Sequence, residues 1–191
     1  MALKFFYGTV NSAKSMTLLA RAHAWKKTDK RVCIIKPSID TRGDGVQSRI
    51  GISEHADIVL TPADELASFS DMLGNFDLVL VDEVQFLTPS QVHELRLLSI
   101  GLLCEGVSPV DVQCYGLRTI SDGRLWDSIK VLMAESDELV EVSTVCAYCH
   151  EKAVFSKALE ETDEDVKVSW GAFIPVCAYH FYHHKEFRNE G

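Results

Sequence analysis

The residues that could do chemistry lie in three stretches. Gly8-Thr9-Val10-Asn11-Ser12-Ala13-Lys14-Ser15 follows a short apolar run and opens a helical pattern. A loop in that position can wrap a phosphate in backbone N–H groups at the positive end of a helix dipole. Lys14 then reaches the β- and γ-phosphates of a nucleotide, and the Ser15 hydroxyl ligates magnesium. Ala13 stands where this pattern expects glycine, and it fits without strain if its backbone is right-handed.

The second stretch, Phe76-Asp77-Leu78-Val79-Leu80-Val81-Asp82-Glu83, ends an apolar run on two carboxylates. An acid at such a strand tip helps hold magnesium beside the loop serine. Its neighbour points the other way along the pleat, so one carboxylate serves the metal while the other faces an acceptor. Phosphoryl transfer onto a hydroxyl gains from a base within hydrogen-bond reach of it. Glu83 suits that role, with Asp82 on the metal. The third stretch pairs Cys146-Ala147-Tyr148-Cys149 with Cys177-Ala178-Tyr179-His180. Two such knuckles supply a Cys₃His tetrahedral zinc site, and with all four positions filled by protein the zinc is structural. The spacer, residues 150–176, becomes a long loop tied at both ends and suited to close over a neighbouring site. His183 and His184 break the knuckle spacing and read as solvated tail residues.

These groups need elements to position them. Leu3–Tyr7 reads as a buried strand stopping at Gly8, and Lys14–Lys27 as a helix with Met16, Leu19, Ala20 and His23 or Ala24 along its inner stripe. Arg31–Lys36 is a β-branched strand closed by Pro37. Ser38–Leu60 reads as irregular. Phe76–Val81, Asp111–Gly116 and Leu139–Val145 are further strands. Pro89 opens a helix running to about Leu103, and Gly123–Glu135 forms another. Strands alternating with helices, without hairpin signals, predict an α/β fold: a mainly parallel sheet of the P-loop type, covered on both faces. Past Val145 the sequence turns rich in Cys, His and aromatics. This divides the chain into an α/β nucleotide-binding domain at 1–145 and a small zinc-bearing domain at 146–191.

With 191 residues, 47% of them hydrophobic, the chain can bury one good core and carry a small appendage. Its formal charge of −9 argues against nucleic-acid binding, which draws its affinity from Lys and Arg on phosphates. No apolar run approaches the length of a membrane span, and the first residues do not read as a signal peptide. A cytoplasmic protein with reduced thiols is expected. Of the six cysteines, Cys33, Cys104 and Cys114 then read as small core residues.

In order and spacing, GTVNSAKS (8–15), DTR (40–42), SRIG (48–51), VDEVQF (81–86), CYGLRT (114–119) and CAYC with CAYH (146–180) resemble the type II thymidine kinases. These pair a P-loop core with a zinc-tethered lasso, and the bacterial branch is the closer likeness. The resemblance implies transfer of the ATP γ-phosphoryl group to the 5′-hydroxyl of thymidine, with magnesium and a structural zinc. It implies that Glu83 is the general base and that Asp82, Glu83, Val84 and Gln85 line the nucleotide site. Asp40 and Arg42 match positions near the ATP phosphates, where Arg42 would stabilise charge on the transferring group. Val10, Phe86 and Leu117 fall where the family packs the base, and Val166, Lys167, Val168, Ser169 and Trp170 where the lasso grips it through backbone groups. Homotetramers are usual in the family.

The chain departs from the pattern at Ala13, at Ser169-Trp170-Gly171 in place of a Gly-Gly pair, and at Phe173 in place of a tyrosine. At Ser121 the family often carries an aromatic residue over the base, a place Trp126 is able to fill. Deoxyuridine is therefore a further candidate acceptor, and a diverged homologue with weak activity or a regulatory role is the alternative reading.

Overall fold

The computed structural model describes residues 1–40, 45–159 and 173–183. The chain begins with β1 (Leu3–Gly8), α1 (Lys14–Lys26) and β2 (Val32–Pro37), then β3 (Gly45–Gln47), β4 (Ser53–His55) and β5 (Ile58–Leu60). It continues through α2 (Ser70–Leu73), β6 (Leu78–Val81), α3 (Pro89–Ser99), β7 (Asp111–Leu117), α4 (Asp127–Glu135) and β8 (Glu138–Glu141). The last elements are β9 (Phe155–Ala158), β10 (Phe173–Val176) and α5 (Ala178–Tyr182). Among the described residues no helix is long and apolar enough to cross a membrane.

Six strands make one sheet in the order β5-β2-β6-β7-β1-β8, every pairing parallel. A parallel sheet needs both faces covered, and its central strands β2, β6 and β7 are accordingly buried along most of their length. Phe5, Cys33, Ile35, Val79, Val81, Val112 and Cys114 pack with α3 and α4 on one face. Phe6, Ile34, Leu78, Leu80 and Tyr115 pack under α1 on the other. Tyr115 stacks on Phe6 with ring centroids 4.7 Å apart, and burial pushes its hydroxyl pKa up. Burial likewise pushes the Cys33 thiol up to about 12 and raises that of Cys114. Cys104, by contrast, is only half-buried.

Several elements differ from the sequence reading. The inner face of α1 carries Lys14, Leu18, Leu19 and Ala22, whereas Met16, Ala20, His23 and Ala24 face outward. Residues 14, 18 and 22 recur at i, i+4, i+8 and form a stripe against the sheet, a phase that the weak periodicity did not define. The stretch expected to be irregular contains the β3–β4 hairpin and β5, which joins the main sheet beside β2. Three residues are too few to show a pattern, and β5 gains its strand character from β2. Helix α3 stops at Ser99. Gly101, at φ 73°, lets Leu102 N–H donate to Leu97 O and Gly101 N–H to Leu98 O, which ends the helix. Helix α4 starts only at Asp127, because residues 119–125 form a turn closed by Ile120 N–H donating to Arg124 O. The spacer between the Cys/His pairs holds β9 and β10, an antiparallel pair.

Leu80 is fully buried between β2 and β7 under α1. Leu80→Ala is expected to lower the unfolding free energy by about 2–5 kcal/mol, read as an earlier urea midpoint at unchanged slope.

Candidate active site

At the carboxyl end of β1 the chain turns through residues 9–13 into α1. A Cβ on Gly8 would come within 2.4 Å of Ser12 Oγ and of Val142 O, so the turn needs glycine there. Asn11 and Ala13 both have φ of 62°. Asparagine visits this left-handed region readily and alanine does not. The condition for an unstrained Ala13 is thus not met, because the chain uses that residue to bend from loop into helix. Thr9 and Ser12 are buried inside the loop, Asn11 and Ala13 lie exposed on it, and Val10 is half-buried.

Lys14 is also buried, and its Nζ donates to Thr9 O at 2.7 Å and to Ser12 Oγ at 3.3 Å. The ammonium therefore arches over its own loop, at the place where a phosphate would lie. Ser15 Oγ donates to the Asp82 carboxylate, 3.2 Å from Oδ2 and 3.4 Å from Oδ1. The hydroxyl and carboxylate that could share a divalent ion are already together. They are a hard, all-oxygen pair of the kind magnesium accepts.

Asp82 extends β6, its N–H donating to Ile35 O at 3.0 Å. At Glu83 the backbone turns left-handed, φ 49° and ψ 41°. This kink, more than the pleat alternation, separates the directions of the two carboxylates. Glu83 Oε2 accepts from Gln85 Nε2 at 2.6 Å, and Gln85 Oε1 accepts from Leu117 N–H at 2.9 Å. Ser128 Oγ donates to Gln85 O. Gln85 is buried, so its amide is a strut between the tips of β6 and β7. A Cβ on Gly116 would lie 2.6 Å from Gln85 Oε1 and 2.8 Å from a Val84 methyl, so the strut needs glycine there. Val84 is itself a core residue and offers only backbone to a ligand. The strut was not legible in the sequence, because it depends on β7 lying beside β6.

Asp40 is buried, and Lys36 Nζ lies 3.4 Å from its Oδ2. Sequence reasoning passed over Lys36, although a lysine inside a β-branched strand was an available signal. Arg42 and residues 166–170 lie outside the described residues.

Phe86, Leu117, Ser121 and Phe173 are all half-buried. Phe86 meets Trp126 edge to face, with centroids 5.5 Å apart. Among the described residues, Trp126 Nε1 is the buried side-chain nitrogen or oxygen that finds no hydrogen-bond partner. Phe173 opens β10 opposite Ala158. The C-terminal hairpin reaches the phosphate loop directly, for Val10 N–H donates to Ser156 Oγ on β9 at 3.0 Å. Arg118 Nη2 donates to Val154 O just before β9. Gly123 packs against the stacked rings of Phe155 and Phe181.

Cys146, Cys149, Cys177 and His180 converge, with their ligand atoms all within 4.8 Å of one another. Sγ of Cys149 and Cys177 are 3.8 Å apart, and His180 Nδ1 lies 3.5, 3.5 and 3.2 Å from Cys146, Cys149 and Cys177 Sγ. Bond lengths to zinc of about 2.3 Å for sulfur and about 2.0 Å for nitrogen give tetrahedral edges of about 3.8 Å and about 3.5 Å. The cluster therefore fits zinc in both donor type and spacing. Burial raises the Cys146 thiol, but hydrogen bonds from the N–H groups of Cys177, Tyr148 and Cys149 outweigh it and bring the pKa to about 6. His183 is exposed, stacked on Tyr179, and stands outside the cluster.

The family model for thymidine kinase matches residues 1–181. The thymidine kinase of Enterobacteria phage T4 is 37% identical over 94% of this chain and 95% of its own. That of Pasteurella multocida is 35% identical over the same shares, and that of Enterococcus faecalis 32% over the whole of both.

An L-residue in the left-handed region costs roughly 1–2 kcal/mol. Ala13→Gly is expected to raise the melting temperature by about 2–4 °C, part of the relief being offset by glycine's freedom in the unfolded chain. An unchanged or lower melting temperature would show that the loop holds Ala13 without strain.

Proposed function

Because the chain belongs to the thymidine kinase family, we propose that it transfers the ATP γ-phosphoryl group to the 5′-hydroxyl of thymidine with Glu83 as general base. The observation that carries this reading is the contact of Ser15 with Asp82 beside a Glu83 turned away from it by its backbone. Lys14 and the loop N–H groups bind the β- and γ-phosphates. Arg42 and Asp40 serve the same end of the nucleotide. Ser15 and Asp82 would hold magnesium, which when bound would offset the charge that builds on the phosphate oxygens.

Glu83 takes the proton from the 5′-hydroxyl as that oxygen bonds to the γ-phosphorus, and the bond to the β-phosphate oxygen breaks to release ADP. Gln85 holds the Glu83 carboxylate at 2.6 Å, which supports a fixed base in place of a mobile one. Val10, Phe86, Leu117 and Ser121, with Phe173 and residues 166–170 of the lasso, enclose the base, and Trp126 fills the space left by Ser121. These changes around the base make deoxyuridine a second acceptor. Residues 1–145 are the nucleotide-binding domain and 146–191 the lasso domain, in a cytoplasmic homotetramer.

A steady-state assay with ATP, magnesium and a panel of deoxynucleosides tests this reading. Glu83→Gln should lower kcat by about 10²–10⁴-fold with the melting temperature unchanged, and a mutant as fast as wild type would refute the base. Failure to phosphorylate any pyrimidine nucleoside would refute the substrate class. Metal analysis should find one zinc per chain. Chelation should loosen β9, release Ser156 from the phosphate loop, and so raise the KM for ATP along with the loss of thermal stability.

A further inference from the structure

Lys36 is 2% exposed, sits near the carboxyl end of β2, and takes no part in the reaction described above. Its side chain points to the α1 face of the sheet, the face of Ile34 and Val32. The register pairs Ile35 with Val81, so one residue further along Lys36 lies beside Asp82, on the same face. Burying an ammonium in that layer is costly unless its charge and its protons are met.

Among the described residues, two groups help to meet them. Asp40 Oδ2 lies 3.4 Å from Nζ, with the carboxylate side chain 4% exposed, and Gly45 O accepts from Nζ at 3.5 Å. Gly45 is itself fixed, because a Cβ there would fall 2.1 Å from Glu54 O across the β3–β4 hairpin. Residues 40 and 45 are the two ends of the short segment that carries the next acid-and-base motif after the phosphate loop, Asp40-Thr41-Arg42. One buried cation thus ties both ends of that segment to the strand adjoining Asp82.

We propose that Lys36 is a positioning residue for phosphoryl transfer: its buried ammonium holds residues 40 and 45 together beside the Asp82 strand tip and so sets the geometry at the phosphate end of the site. This rests on the kinase reading above. Lysine suits the task because its compact ammonium can serve a carboxylate and a carbonyl at once from a narrow stem. Phosphoryl transfer depends largely on placement, so an error of about 1 Å can cost about 10²-fold in rate.

The test separates placement from stability. Lys36→Met with Asp40→Asn removes both charges together, which can leave a fold nearly intact. The double variant is expected to melt within a few degrees of wild type, to lose about 10- to 100-fold in kcat, and to keep its thymidine KM within about twofold. Lys36→Arg, which keeps the charge, should fold and retain kcat within about fivefold of wild type. A double variant with wild-type kcat would overturn the proposal. So would a Lys36→Arg protein that melts like wild type yet has lost about 10-fold or more in kcat, and this second arm stands even if the double variant does not fold. If wild type itself phosphorylates no pyrimidine nucleoside, the kinase reading falls and takes this proposal with it, an outcome distinct from loss of the Lys36 effect alone.

Discussion

Parallel pairing of β5, β2, β6, β7, β1 and β8 sends every strand's carboxyl end to one edge of the sheet, and the chemistry of this protein is assembled along that edge. Gly8 ends β1, Asp82 and Glu83 follow β6, Leu117 ends β7, and Lys36 and Pro37 end β2. The four strand ends lie far from one another in sequence. The sheet aligns them because β1, β2, β6 and β7 are buried or half-buried along their length, and a change of register would turn their side chains to the wrong face. A slip of β6 by one residue would point Asp82 away from Ser15 and turn Leu78 and Leu80 from the α1 face to the α3–α4 face. Stability and chemistry are therefore set by the same pairing.

The polar groups at that edge are buried or half-buried, and each is held by a partner side chain. Ser15 contacts Asp82, Gln85 holds Glu83 and reaches Leu117, and Lys36 faces Asp40. In a low-dielectric setting such pairs are strong when satisfied and costly when broken. Their geometry is therefore narrowly determined before any ligand arrives, which is what electrostatic catalysis asks of a site. Three non-glycine residues in the left-handed region, Asn11 and Ala13 in the loop and Glu83 after β6, lie at this edge. Strain of this kind persists where surrounding structure over-determines the backbone.

The C-terminal part solves a different problem. Cys146, Val176 and Cys177, with Phe155, Ile174 and Phe181 against them, make a core too small to hold a fold alone. Zinc held by the three thiolates and the His180 imidazole would supply the missing cohesion. The hairpin lays Ser156 on Val10, which links the Cys/His cluster to the phosphate loop through one strand.

Local chemistry was largely legible in the linear sequence. The loop ending Lys14-Ser15, the acid pair after an apolar run, and the paired knuckles each carry their meaning within about ten residues or in a repeated spacing, and long apolar strands announce themselves. What the sequence did not contain was anything decided by a neighbour. β5 is a strand because β2 runs beside it, and α1 turned its 14-18-22 stripe inward because the sheet was there. Gln85 became a strut because β7 adjoins β6, and Ala13 is left-handed because strand and helix must meet at a fixed angle. Lys36 looked like one charge in an apolar run until the fold placed Asp40 and Gly45 around it. Short-range pattern determined the kinds of residue and the elements they ride on. The parallel register, a property of strands distant in sequence, decided which of them touch.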